Sequence, residues 1–302
     1  MKPGNGSDMS TSNLGLNLSA GIASVLLAAV LVGLKLWALS ATGSLSIAAS
    51  MTDSALDFLV SATGLFAIFY AARPADEDHA FGHTSAEDLA ALSQAVLVSL
   101  SAGIIGYSAI SRLTAANSRL HAEWQGILVM IVSMALTVAL VWWQRRVARQ
   151  TGNRVVTADS LHYLSDLLPN FGAVIALAAS AWLGLQHIDS IVAIAAALML
   201  AFGAWRIGKP AFDALMDRSA DERLIAQVRE IVGKWPGVQG FHDLKTRTAG
   251  STVFIQVHIE LDGAQSLHDA HGISAGLRRQ ILARIANSQV IIHQDPVANI
   301  QS

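Results

Sequence analysis

The sequence predicts an α-helical membrane protein, with six transmembrane helices followed by a small α+β domain of order αββαβ. Three observations predict it. The chain is 53% hydrophobic and only 14% charged, whereas soluble domains carry about 25% charged residues. The apolar residues crowd positions 14–207. Beyond Lys209 the polar balance recovers, and the hydrophobic pattern alternates between helical and strand periods. The expected division is a disordered tail at 1–14, a membrane domain at 15–209 and a C-terminal domain at 210–302.

The first twelve residues are rich in Gly, Ser, Thr and Asn, which reads as a tail. A cleavable signal peptide is not expected, because the first apolar run is too long. A helix needs about 20 apolar residues to cross the hydrocarbon core. Such runs lie near 15–39, 45–72, 87–111, 123–144, 156–184 and 188–207. The second, third and fifth carry Asp, His, Asn or Gln among small residues, as helices facing a bundle interior do. Lys2, Arg73, Arg145, Arg146, Arg149, Arg154, Arg206 and Lys209 fall on one side, with Arg112 and Arg119 on the other. The positive-inside rule makes the first side cytoplasmic, so both termini are expected in the cytoplasm. Lys35, near the outer end of the first span, is placed to snorkel.

After about 211, Leu224, Val228, Ile231 and Trp235 recur at helical spacing until Pro236 and Gly237. A strand is expected near 239–247. Residues 252–261 alternate with period two, as a half-buried strand does. Leu267, Ala270, Ile273, Leu277, Ile281 and Ile285 mark a second helix, and Val290–His293 a last strand. Pro210 is the expected boundary with the membrane domain.

The formal net charge of −2 excludes a broad basic face for nucleic acid. The absence of cysteine excludes disulfides and thiolate metal sites. Histidine and carboxylate are left as the ligand types. Asp53 and Asp57 lie four residues apart in the second span, and His162 and Asp166 four apart in the fifth. Groups at i and i+4 share one helix face. Each ionisable group at the bilayer centre costs about 2.5–3.5 kcal/mol on insertion scales. Any one of them alone reads equally well as a hydrogen-bonded helix contact. Two pairs at matched spacing read as an ion site, where a divalent cation offsets the cost and protons do so in its absence. One nitrogen and three oxygens suit Zn²⁺, with Fe²⁺, Co²⁺ and Cd²⁺ also compatible.

The stretch from Ser44 to Asp57 (Ser-Leu-Ser-Ile-Ala-Ala-Ser-Met-Thr-Asp-Ser-Ala-Leu-Asp) resembles the cation diffusion facilitator family. So does Ala158 to Asp166 (Ala-Asp-Ser-Leu-His-Tyr-Leu-Ser-Asp), and the likeness runs from about 15 to 297. The resemblance implies a homodimeric metal/proton antiporter working by alternating access, in a bacterial inner membrane. It implies that Asp53, Asp57, His162 and Asp166 form the transport site, with Zn²⁺ the foremost substrate.

Between spans two and three, Asp76, Glu77, Asp78, His79 and His83 cluster. Spacing alone reads equally as a solvated acidic loop. The resemblance implies a second metal at Asp76, His79 and His83. In the C-terminal domain His258 lies on the polar strand face, while His293 and Asp295, two apart, point to one side. Each alone reads as a surface residue. Three segments resemble the family here: 240–244, 254–258 and 291–296. They imply a metallochaperone-like domain that dimerises around a two-metal site of His242, His258, His271, His293 and Asp295, with Zn²⁺ as regulatory ligand. His268 reads as a surface helix residue. Ser85 stands where a bacterial member of the family has a Lys paired with an Asp matching Asp217, so the resemblance does not extend to that interlock, and Asp217 reads equally as a partner of Arg218 or a basic loop group and as a solvated surface residue.

Two other readings compete with transport. A membrane metalloenzyme needs an open zinc position, which four protein ligands do not leave, and no His-Glu-x-x-His motif occurs. A membrane-anchored metal sensor would leave the membrane part inert, which the buried polar groups oppose. The chain is therefore expected not to be an enzyme. Its expected partners are metal ions, protons, the lipid bilayer and a second copy of itself.

Overall fold

The structure is a computed structural model. It describes the backbone of residues 6–42, 45–114, 124–183 and 188–297. Side chains are described for these except 6–12, 38–39, 41–42, 45–53, 112–114, 124–130, 169–183, 188–190 and 192–193. Six long helices come first: α1 (Gly6–Thr42), α2 (Leu45–Ala71), α3 (Ser85–Thr114), α4 (Trp124–Thr151), α5 (Arg154–Leu183) and α6 (Ile188–Leu215). Then come α7 (Glu222–Gly233), β1 (Gly240–Ala249), β2 (Thr252–Leu261), α8 (Leu267–Arg284) and β3 (Ser288–Pro296). One compact unit spans Thr11–Phe212, and the other includes Asp213–Ser302.

Among the described residues, three stretches are long and apolar enough to cross a membrane: Asn13–Trp37, Ser54–Ala71 and Ser85–Ser111. The outward faces of these helices are apolar, with Leu26, Phe66, Leu100 and Ile104 exposed. That is the reverse of a soluble protein and fits a lipid solvent. Inside the bundle α5 packs on α2, α3 and α4. Small side chains allow the approach: Ala91 of α3, Ala158 of α5 and Ala211 of α6 form one buried cluster. Asn153 caps α5, its Oδ1 accepting from Val156 N at 3.0 Å. Its Nδ2 donates to Glu87 of α3 at 2.8 Å, and Arg154 bonds the buried Asp88 beside it.

Two boundaries differ from expectation. α1 begins at Gly6, inside the stretch 1–14 expected as a tail. No proline follows Pro3 in this run, and extending an existing helix costs far less than nucleating one. α6 continues through Pro210 to Leu215 instead of stopping there. Proline forfeits one i→i−4 bond, which leaves the rest of the helix intact.

In the second unit β2 lies centrally, antiparallel to β1 and parallel to β3, which it reaches through α8. The period-two pattern buries Ile255, Val257, Ile259 and Leu261 against Val228 and Val232 of α7 and Leu277 and Ile281 of α8. Asp221 caps α7, and Ser266 caps α8. After α7 the chain turns at Gly237, whose φ of +90° suits glycine. A Cβ there would also lie 2.6 Å from Ile273 Cδ1. Leu277 is 0% exposed, so Leu277→Ala is expected to destabilise this unit by about 2–5 kcal/mol. Denaturant unfolding of the intact protein, read by near-ultraviolet signal from Trp235, checks it.

Candidate metal centres

Three groups of ligand-type side chains converge among the described residues: Asp57, His162 and Asp166; Asp76, His79 and His83; and His242, His258 and Asp295. Within each group the donor atoms lie within 4.8 Å of one another.

The first group joins α2 to α5. His162 Nε2 lies 3.2 Å from Asp57 Oδ1. The cluster grades outward from buried His162 through half-buried Asp57 to exposed Asp166. Among the described residues, neither ring nitrogen of His162 makes an aligned hydrogen bond. A buried imidazole in that condition is costly, and a cation between it and the carboxylates would satisfy it. The backbone puts Asp53 one turn before Asp57 on α2. The side chain of Asp53 lies outside the described residues. Lys35 donates to the buried Ser54 Oγ at 2.6 Å, so it reaches back toward this end of α2.

The second group closes the loop between α2 and α3. Asp76 Oδ1 accepts from His79 N at 2.7 Å and lies 3.2 Å from His79 Nδ1. Its Oδ2 lies 3.2 Å from His83 Nε2. Gly82, at φ +85°, turns the chain so that the two rings stand with centroids 4.5 Å apart. Tyr70 packs edge-on against His83, which is buried while Asp76 and His79 are exposed. The His79 backbone N–H, then its imidazole and that of His83, hold the Asp76 carboxyl below the usual range, against slight desolvation. An ionised carboxylate and two imidazoles are a donor set that fits Zn²⁺. Glu77 and Asp78 are exposed and outside the group.

Strand register builds the third group. His242 on β1, His258 on β2 and His293 on β3 stand side by side across the sheet. Asp295 gathers them: Oδ2 lies 3.0 Å from His258 Nδ1 and 3.3 Å from His242 Nε2, and Oδ1 lies 3.1 Å from His293 Nε2. The His258 hydrogen bond, followed by the charges of the neighbouring imidazoles, lowers the Asp295 carboxyl below its usual range, against slight desolvation. The imidazoles of His242 and His258 with the ionised Asp295 carboxylate are a donor set that fits a metal, and His293 stands against the other carboxylate oxygen. His271 is not brought in. It is exposed on α8, and the group lies on the sheet face that α8 leaves open. Glu260, which the sequence did not single out, lies 3.9 Å from His242 Nε2. Asp217 pairs with Arg247 of β1 at 3.2 Å rather than with Arg218, which bonds Asp213. His268 is exposed, as expected.

The chain matches the family description "Cation efflux transmembrane domain" over residues 21–216. It matches "Cation efflux protein, cytoplasmic domain" over 220–297. It therefore belongs to the cation efflux family, as the two helix motifs implied. The cation-efflux pump FieF of Cronobacter sakazakii is 40% identical over 277 residues, covering 92% of each chain. That of Serratia proteamaculans is 39% identical over 278 residues, again covering 92% of each. Among solved structures, the metal-bound C-terminal domain of the CzcD transporter from Thermotoga maritima is 29% identical. It covers 26% of this chain and 93% of that one, with a TM-score of 0.25.

Proposed function

We propose that this protein exports divalent transition-metal ions, Zn²⁺ foremost, from the bacterial cytoplasm across the inner membrane in exchange for protons. The observation that carries the reading is the buried, unsatisfied His162 beside Asp57 and Asp166, inside helices that turn apolar faces outward. Asp53 supplies the fourth ligand. Fe²⁺, Cd²⁺ and Co²⁺ are compatible with the same donors. The ligands bind metal only when deprotonated, so metal entry expels protons and metal exit recovers them. The relatives' names, cation-efflux pumps, support the direction of transport. The basic loops support a cytoplasmic position for both termini, with the membrane domain ahead of Asp213 and the cytoplasmic domain after it.

Asp76, His79 and His83 hold a second metal, and His242, His258, His293 and Asp295 a regulatory one that favours the homodimer. His271 belongs to that set only through the resemblance. Four protein ligands at the transport site leave no position for substrate chemistry, which argues against an enzyme.

Zn²⁺ flux into sealed proteoliposomes tests the reading. With an imposed pH gradient, Zn²⁺ is expected to move against the proton flow, and more slowly as pH falls on the loading side. No flux, or flux that ignores the gradient and does not change between pH 6 and 8, would sink it.

A further inference from the structure

We propose that Asp159 is a proton carrier of the exchange, protonated in the metal-free protein and ionised when a divalent cation sits one helical turn away. This rests on the antiport reading above. Asp159 lies on α5 three residues before His162, is 5% exposed, and is outside the ligand group. Its Oδ2 accepts from Ser24 Oγ of α1 and, at 2.6 Å, from Gln144 Nε2 of α4. Ser24 and Gln144 are both fully buried. Among the described residues, Asp159 Oδ1 and Gln144 Oε1 are buried with no hydrogen bond.

A carboxylate there has two neutral donors on one oxygen and none on the other, far too little to replace water around a charge. A carboxyl group fits better. Turning the Gln144 amide, whose two ends have the same shape, puts Oε1 where Nε2 stands. The Asp159 O–H then donates to it, which removes the charge, while the amide N–H₂ takes over the unbonded position and gives up its bond to Ser24 Oγ. A cavity of about 10 Å³ borders the pair, lined also by Gly21, Gly64 and Leu65.

The surroundings leave the metal as the charge that decides. No Lys or Arg among the described residues pairs with Asp159. His162 faces it from its own helix, with Asp57 of α2 beyond. Tyr163 spends its hydroxyl on Ser61 Oγ and Ser24 O. From α3, Glu87 and Asp88 are held by Asn153 and Arg154. Lys35 of α1 bonds Ser54. A dication at His162 favours the ionised form of a nearby acid. The Asp159 O–H bond then breaks, and the proton leaves to water on the side from which the metal came. When the metal departs on the other side, the carboxylate takes a proton from water there.

The test counts protons. Zn²⁺ is titrated calorimetrically into the solubilised intact protein in buffers of different ionisation enthalpy, beside Asp159→Asn and Asp159→Glu. The Asn variant is expected to release about one proton fewer per protein at saturation, and the Glu variant the same number as the intact chain. Equal release from the intact chain and the Asn variant would overturn the role of Asp159. Proteoliposomes holding a pH dye separate this from the reading beneath it: Zn²⁺ flux without proton counterflow in the intact protein overturns both. Should Asp159→Asn not fold, infrared difference spectra of the Glu variant decide. A protonated-carboxyl band that Zn²⁺ abolishes, shifted from its position in the intact protein, supports the proposal, and its absence overturns it.

Discussion

Asp57→Ala and His162→Ala are each expected to reduce Zn²⁺ flux in proteoliposomes by at least about 100-fold, since even outer-shell partners of a metal are worth about 10–100-fold. The two side chains sit 3.2 Å apart on different helices, so each removes a ligand and strands the other. Their effects should therefore not add: the double variant should be no worse than the worse single one. Asp57 is only half-buried, and His162, though its ring packs on Tyr163, lacks aligned hydrogen bonds among the described residues. Removing ionisable groups from a bilayer also lowers the insertion cost. Both variants should insert and fold at least as well as the intact protein, which size-exclusion chromatography in detergent would check. Normal transport by either would remove Asp57 or His162 from the site even though the family assignment stands.

That site was legible because charge stands out against apolar runs. Asp57, His162 and Asp166 needed only spacing and the cost of burying them. The cytoplasmic cluster was half legible. The period-two pattern put His258 on the open face of β2, but the face of His242 could not be read. The reason is a register irregularity between His242 and Lys245, where Asp243 takes φ +51°. Only the strand pairing aligns His242 with His258 and His293, and only a three-dimensional neighbour relation adds Glu260. His271 looked equivalent to the others by type, yet α8 presents it away from them. Asp159 stood out as a charge in the fifth run, but the network that holds it did not. Its partners Ser24 and Gln144 stand 135 and 15 residues away, and both read as ordinary small or polar residues in apolar helices. Pro210 reads as a stop, yet a proline inside a helix forfeits a single i→i−4 bond, and α6 runs on to Leu215.

Asp295→Ala is the change expected to uncouple the cytoplasmic domain from metal. Asp295 is the single carboxylate that touches His242, His258 and His293. In the intact protein, Zn²⁺ at about 100 times its Kd should stabilise this domain by about 2.7 kcal/mol, seen as a rise in its thermal transition. In the variant the rise should be small or absent, while the metal-free transition should hardly move, because exposed ion pairs contribute little. The pH dependence gives a second handle, and its sign follows from the groups involved. The His258 hydrogen bond lowers the Asp295 carboxyl, so what it contributes is present above the unfolded carboxyl range and fades only as pH falls through the lowered value. Asp295 thus stays ionised in mildly acidic solution. Ligands bind metal only when deprotonated. The Zn²⁺-induced rise should therefore shrink as the solution is acidified, while the lowered Asp295 carboxyl is still ionised. A rise that persisted to the carboxylate range would mean that oxygens alone bind the ion, and would remove the three histidines from the proposed regulatory site.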